Sequence, residues 1–324
     1  MGAPSGVMLR PLGIGEIIDR AITLYVRNFV PFTATVLIVV FVPLVIGEYF
    51  LADSESGQWR AILQMIQHPG ATPMTPVAME GAVSYPELFL GYLILVIGFV
   101  LGLFANNAVA VNVAAVYTGR EPNVSASLGV AFRRWASLLG LLCLGFLVAF
   151  GAYLIVIVLV IMGALGVGGI AAAFPGTRSP LAITLLVLFD IVALLALCAV
   201  ALLCVLAFTF AGYAIVIEGK GLTEAIGSGF ARLFNRKEWG RAIVVLLVAL
   251  LLGTAISMVS AIVEVLLFFV PGGQFGIAIV SGLVGVVSAT VQTVFCAVYY
   301  YDVRIRREGF DLDMALQRLA PAAP

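Results

Sequence analysis

Six long apolar runs partition this chain, at residues 29–51, 88–117, 138–162, 181–217, 242–270 and 277–301. Each reaches or exceeds the roughly 20 residues that carry a helix across about 30 Å of hydrocarbon at 1.5 Å per residue. With 63% hydrophobic and 10% charged residues, the chain sits far from the roughly 25% charged that soluble domains carry. The expected class is all-α: a polytopic membrane protein with six transmembrane helices. The fourth run is too long for one straight crossing and should tilt, extend beyond the bilayer, or break near Gly212.

Basic residues orient the runs. Of 17 lysines and arginines, all but Arg60 and Arg178 fall in segments that share one side if the runs alternate. By the positive-inside rule that side is cytoplasmic, with both termini on it, which places the chain in the cytoplasmic (inner) membrane. Tyr117, Trp135, Trp239 and the Tyr299-Tyr300-Tyr301 cluster lie at the same boundaries, where amphipathic rings sit at headgroup level. Arg10, Arg20 and Arg27 precede the first run as they would in a signal peptide. That run, however, exceeds the roughly 7–15 residues of a signal core, and Tyr49-Phe50-Leu51 offers no small-residue cleavage site, so it reads as an uncleaved span. Zero net charge and a pI near 6.6 point away from nucleic acid as a partner.

One sizeable extracytoplasmic loop is expected at 52–86, with Pro69, Pro73 and Pro76 and a short helix near 59–67 that aligns Trp59, Ile62, Leu63 and Ile66. The Gly- and Ala-rich stretch 163–180 and the turn at Pro271-Gly272-Gly273 connect later runs. A cytoplasmic tail is expected over 302–324, in which Met314, Leu316 and Leu319 would touch lipid or the interfacial helices.

A short amphipathic stretch precedes every other span. In the first, Ile14, Ile18, Ile22, Tyr25 and Phe29 share a face; in the second, Leu128, Ala131, Trp135 and Leu138; in the third, Leu222, Ile226, Phe230, Leu233 and Phe234. A helix with basic residues beside its apolar stripe lies in the interface rather than crossing it. Ser125 and Thr223 are the expected N-caps of the second and third. With Ile18, Leu128 and Ile226 in register, Ala21, Ala131 and Gly229 coincide, followed by Ile22, Phe132 and Phe230. The whole chain is then one integral membrane domain of three parallel helix-hairpin repeats, about 10–118, 120–217 and 220–301.

Two segments carry a family resemblance: LRPLGIGEIIDRAITLYVRNF, residues 9–29, and YYYDVRIRREGFDL, residues 299–312. They resemble the membrane domain of glycerophosphoryl diester phosphodiesterases, as found in actinobacterial membrane proteins. The resemblance spans nearly the full chain and implies a bacterial, stand-alone copy of that domain. In some relatives a catalytic barrel follows it; that barrel is absent here, so the resemblance implies no hydrolytic activity.

Chemistry is sparse. His68 is the only histidine and the four cysteines all lie in apolar runs, so neither a zinc site nor a disulfide framework is expected. Gly219-Lys220-Gly221 lacks the rest of a phosphate-binding loop, and no nucleophile with its base and no nucleotide fingerprint occurs. No cofactor is expected, and no enzyme. Glu121, Glu218 and Asp302 are the cytoplasmic-edge acids that a headgroup-directed enzyme would have to use.

Two functional readings remain. In the first the protein is an accessory or scaffold subunit that contacts anionic headgroups through Arg20, Arg27, Arg133, Arg134, Arg232, Arg236 and Lys237. Its partners would be membrane lipids, with a membrane-protein partner or a second copy of the chain also possible. In the second the protein is a transporter or channel component. Ionisable groups within the bilayer are costly and often functional, and Asp190, Glu264 and Glu48 lie inside or near the ends of runs. Asn106, Asn107 and Asn112 in the second run and Gln292 in the sixth supply a polar layer. The same amides suit plain helix packing, because Gly98, Gly102, Asn106, Ala110 and Ala114 recur every four residues, as do Ser281, Gly285, Ala289 and Thr293. A broad face of the fifth run carries Gly253, Ser257, Ser260, Ala261 and Glu264, turned to the bundle.

Overall fold

The computed structural model describes residues 11–67, 85–173, 180–233, 239–268, 270 and 272–309, the side chains of 53–67, 160, 164, 167–173, 180–183, 185–186 and 190 excepted. These residues form helices α1 (Ile14–Arg27), α2 (Phe29–Gln67), α3 (Tyr85–Tyr117), α4 (Val124–Arg133), α5 (Trp135–Ala173), α6 (Pro180–Ile217), α7 (Leu222–Leu233), α8 (Trp239–Phe268) and α9 (Gly273–Glu308). No strand occurs among the described residues. Six of the helices (α2, α3, α5, α6, α8 and α9) are long and apolar enough to cross a membrane, and the protein is a multi-pass membrane protein.

The helices run further than hydropathy suggests. At 39 residues, α2 passes through the expected loop start at 52 and absorbs the expected short helix, so the loop 52–86 is helical as far as Gln67 and again from Tyr85. Hydropathy falls at Ala52-Asp53-Ser54, but nothing there interrupts backbone hydrogen bonding, and the first proline after Gln67 is Pro69. Likewise α5 continues to Ala173 through the Gly- and Ala-rich stretch, α6 passes unbroken through a buried Gly212, and α9 extends past 302 to Glu308. Pro31, Pro86 and Pro180 fall in first helical turns, where a missing N–H forfeits no bond. The expected tail contacts Met314, Leu316 and Leu319 lie outside the described residues.

The stops are sharp where residues enforce them. Gly119, Gly219 and Gly309, at φ 74°, 73° and 63°, follow the ends of α3, α6 and α9, a left-handed conformation that a side chain would strain. After α3 the Gly119 N–H bonds to Val116 and the Arg120 N–H to Ala115. Between α1 and α2 a single residue, Asn28, turns the chain, its N–H shared between the Leu24 and Tyr25 carbonyls; Arg134 does the same between α4 and α5.

The expected N-caps need correction. Asn123 caps α4, its Oδ1 accepting from the Ala126 N–H at 2.9 Å, so Ser125 lies inside the first turn. The Gly221 carbonyl accepts the first bond of α7, which puts Thr223 inside that helix too. The starts of all three short helices, Ile14, Val124 and Leu222, fall at equivalent positions in the register that aligns Ile18, Leu128 and Ile226. At the aligned positions Ile17, Ser127 and Ala225 are buried, and so are Ala21, Ala131 and Gly229.

Contacts cluster in two compact units, Met1–Trp135 with Leu247–Pro324, and Ala136–Leu246. In the first, α2 packs along both α3 and α9, α4 packs on α3, and α1 packs on α9. Glycines set the closest approach. A Cβ on Gly47 or Gly91 would stand 3.2 Å from the other's carbonyl oxygen, and one on Gly282 would stand 2.8 Å from Val45 Cγ2. On α3 the buried seam is Gly91, Gly98, Ala105 and Asn112, every seventh residue. On α9 it is Ala278, Gly282, Val286, Thr290, Val294, Val298 and Asp302, one position on from the expected Ser281 stripe.

In the second unit α7 packs on α6. A Cβ on Gly229 would stand 2.5 Å from the Ala207 carbonyl oxygen and 3.0 Å from the Ala211 nitrogen, so only glycine fits that crossing.

Candidate functional site

Polar groups of the first unit concentrate where the chain's two ends meet. Asp302, 1% exposed, accepts the Leu12 N–H on Oδ1 at 2.7 Å and the Arg306 Nε–H on Oδ2 at 3.0 Å. Arg306 also donates from Nη2 to the Leu12 carbonyl at 2.6 Å. One carboxylate and one guanidinium thus clasp both backbone groups of a residue 290 positions away. Before α1, Glu16 Oε2 accepts the Gly13 N–H at 2.8 Å, which sets the helix start beside the clasp.

Tyrosines surround it. Tyr117 stacks on Tyr301, with ring centroids 4.4 Å apart and planes 10° from parallel. Tyr299, Tyr300, Tyr301 and Tyr117 are all buried within the protein rather than forming the expected interfacial belt. Their rings bind α9 to its neighbours, where aromatic area is worth more than at the lipid surface. Trp135 and Trp239 are exposed, as that belt requires. Arg20 and Asp302 both act electrostatically on the buried Tyr117 hydroxyl, and Arg20 is the hydrogen-bonding group beside it.

Above the clasp, Asn112 ties three helices. Its Nδ2 donates to Thr35 Oγ1 of α2 at 3.1 Å, and its Oδ1 accepts the Asn123 N–H before α4 at 3.0 Å. Thr35 in turn donates to the Pro31 carbonyl at 2.7 Å. This is interhelical packing chemistry with every group engaged.

The other intramembrane residues are scattered. Asn107 Nδ2 donates back to the Leu103 carbonyl, while the buried Oδ1 atoms of Asn106 and Asn107 have no hydrogen-bond partner among the described residues. Gln292 donates to Ser288 Oγ at 3.1 Å, its amide filling the space over Gly253 of α8. Glu264, half-buried, accepts from Ser281 Oγ at 2.8 Å. On α8 the inward residues are Gly253, Ser260 and Glu264, whereas Ser257 and Ala261 face outward. Glu48 is half-buried on α2. Asp190 belongs to α6 in the second unit, and its side chain lies outside those described.

Of the basic residues, Arg27, Arg133 and Arg134 are exposed and Arg20 is half-exposed. Arg133 Nε donates to the Gly129 carbonyl at 3.2 Å. Arg232 is not a surface contact. It is 5% exposed and ion-paired to Glu218 at 2.9 Å, with Lys220 on the same carboxylate at 2.8 Å. Arg236 and Lys237 lie outside the described residues. Two of the three edge acids, Asp302 and Glu218, are therefore engaged by guanidinium groups, while Glu121 is exposed.

Among the described residues no three His, Cys, Asp or Glu side chains converge as metal ligands would. The clasp escaped sequence reasoning because its halves lie at opposite ends of the chain. No family model, curated protein or solved structure matches the chain.

Proposed function

We propose that this chain is a non-catalytic membrane protein, an accessory or scaffold subunit whose exposed arginines contact anionic headgroups, with both termini in the cytoplasm of the inner membrane. The observation that carries this reading is the sorting of charge. Edge acids Glu218 and Asp302 are neutralised inside the protein, Glu121 and the α1 acids Glu16 and Asp19 are exposed, and Arg27, Arg133 and Arg134 stand outward beside exposed Ile22, Val26, Phe29, Phe132 and Trp135. Outward cations next to apolar rings are the composition of a helix lying in a lipid interface. We further propose that the chain is a stand-alone relative of the membrane domain that 9–29 and 299–312 resemble; Leu12 meeting Asp302 and Arg306 supports reading those segments as one structural unit.

Each surface arginine contributes about 1 kcal/mol of attraction to an anionic leaflet, so three amount to about 3 kcal/mol. The purified protein in detergent should retain phosphatidylglycerol over phosphatidylcholine by native mass spectrometry. The Arg27→Gln/Arg133→Gln/Arg134→Gln variant should lose most of that preference, and equal retention by the variant overturns the reading.

Transport along a polar intramembrane path is favoured by one feature, the half-buried Glu264 with the unpartnered Asn106 and Asn107 oxygens. Under that reading proteoliposomes pass protons or monovalent cations, and Glu264→Gln abolishes the flux. Tight vesicles with wild-type protein remove it.

A further inference from the structure

Two of the six spans are bare over most of their length. In α5 no described residue from Leu142 to Met162 is buried, and in α6 none from Thr184 to Leu202. By contrast α2, α3 and α9 close on one another at glycines, where a Cβ on Gly47, Gly91 or Gly282 would strike a neighbouring helix. On α5 the glycines stand open: a Cβ on Gly145 or Gly151 would meet nothing within 4 Å among the described residues. Gly145, Ala149 and Ala152 share one face of that helix, the pattern by which membrane helices approach closely.

Length compounds the exposure. α5 has 39 residues and α6 has 38, and Asp190 is the one charged residue in either. A helix of that size is about 57 Å long, against about 30 Å of hydrocarbon. Tilted by about 40°, the upper end of what membrane helices adopt, it still rises about 44 Å along the bilayer normal. Trp135 and Ile217 adjoin the polar segments Arg133-Arg134 and Glu218-Gly219-Lys220, which keep those ends at one face of the bilayer. The surplus therefore emerges at the other face, around Met162, Leu165, Leu188 and Phe189, each more than half exposed. Apolar surface outside the hydrocarbon has to be covered.

We infer that the α5–α6 pair is the docking surface for a second copy of this chain, the two pairs meeting about a twofold axis. The large apolar residues exposed over 158–165 and 187–195 offer on the order of 1,000 Å² per copy, against about 800 Å² per partner in a stable interface. Such a surface, almost free of charge, has the composition of a homodimer contact, as apolar as a domain core cut in half. A twofold contact presents the same patch from both sides, so each copy covers in the other what it leaves bare itself. Pairing also gives the glycine face of α5 the close neighbour that the glycines of α2, α3 and α9 already have.

This contact goes beyond the headgroup reading and does not rest on it, so the three-arginine rim variant should pair as wild type does. The test counts copies by single-molecule photobleaching of the full chain carrying one fluorescent protein after Pro324. The chain is reconstituted at low density in thin dimyristoyl- or thick dierucoyl-phosphatidylcholine bilayers. Wild type should be dimeric in the thin bilayer, and the dimer fraction should fall in the thick one, which covers more of the surplus length itself. Leu165→Ser/Phe189→Ser should lose the dimer while keeping the wild-type unfolding temperature in detergent. Gly145→Leu, which blocks the small-residue face within the bilayer, should lose it too and serves alone if the double variant does not fold. Monomeric wild type in the thin bilayer overturns the inference. A dimer that the variants keep lies elsewhere on the chain and overturns the surface. A dimer equally abundant at both thicknesses overturns the part assigned to the surplus length.

Discussion

Asp302 shows how one side chain organises its surroundings. Its carboxylate is wholly buried and serves a backbone N–H and a guanidinium at once, so charge and shape can be separated by mutation. Asp302→Asn keeps an acceptor for Leu12 but removes the anion facing Arg306, at about 1.5–3 kcal/mol for a lost charge-assisted bond. In chemical unfolding, Asp302→Asn/Arg306→Met should be less destabilised than the sum of its single variants; strict additivity would show that the two groups do not interact. Gly229 is a steric counterpart. An added Cβ meets the backbone of Ala207 and Ala211 rather than a flexible side chain, so Gly229→Ala should cost about 1–3 kcal/mol and raise protease sensitivity between α6 and α7. Tyr25, on α1, is held above the ordinary tyrosine value of 10.0 by burial, with its hydrogen bond to Thr33 opposing the shift. Its neutral form is therefore favoured on folding. The stability it contributes is present below pH 10 and lost as pH rises past that value, and Tyr25→Phe should flatten this part of the pH profile.

Among the elements, the short helices teach the most. Periodicity located α1, α4 and α7 but not their ends, since Phe29 of the first expected face begins α2 and Trp135 and Leu138 of the second lie in α5, nor which side of each packs on protein. On α1 the large apolar residues Ile22 and Val26 are exposed, whereas Ile17, Ala21 and Leu24 are buried. In a membrane, lipid is as apolar as a protein core, so hydrophobicity does not mark the packed face; small residues do, because they let backbones approach. Ala21, Ala131 and Gly229 obey that rule at equivalent positions. The cap of α4 is a sharper case, since Asn123 serves its own helix by its side chain and Asn112 by its backbone. Asn123→Ala should cost about 1 kcal/mol and speed hydrogen exchange at the first amides of α4 while leaving α3 protected. Unchanged exchange there would show that Asn123 does not hold the helix start.

Across the whole molecule, orientation is the first property to measure. Under the proposed orientation, read from the arginine and lysine asymmetry, reporters fused before Met1 and after Pro324 should both read cytoplasmic, and one between α2 and α3 should read exterior. An exterior reading at either end removes the headgroup proposal with it. The three short helices start at equivalent positions, left-handed glycines follow α3, α6 and α9, and α1 packs on α9 as α4 packs on α3.

Six spans and three short helices follow from the sequence alone, because the cost of placing polar groups in hydrocarbon acts on every residue locally and leaves its pattern in composition and period. Helix ends were less legible: hydropathy changes at Ala52 and Asp302, but backbone hydrogen bonding carries α2 on to Gln67 and α9 to Glu308, where the left-handed Gly309 follows. The clasp, the buried tyrosines, the ion pair of Arg232 and the meeting of Arg20 with Tyr117 belong to tertiary structure only. Each depends on which residues from distant parts of the chain come within a few ångströms, and no local energy term records that.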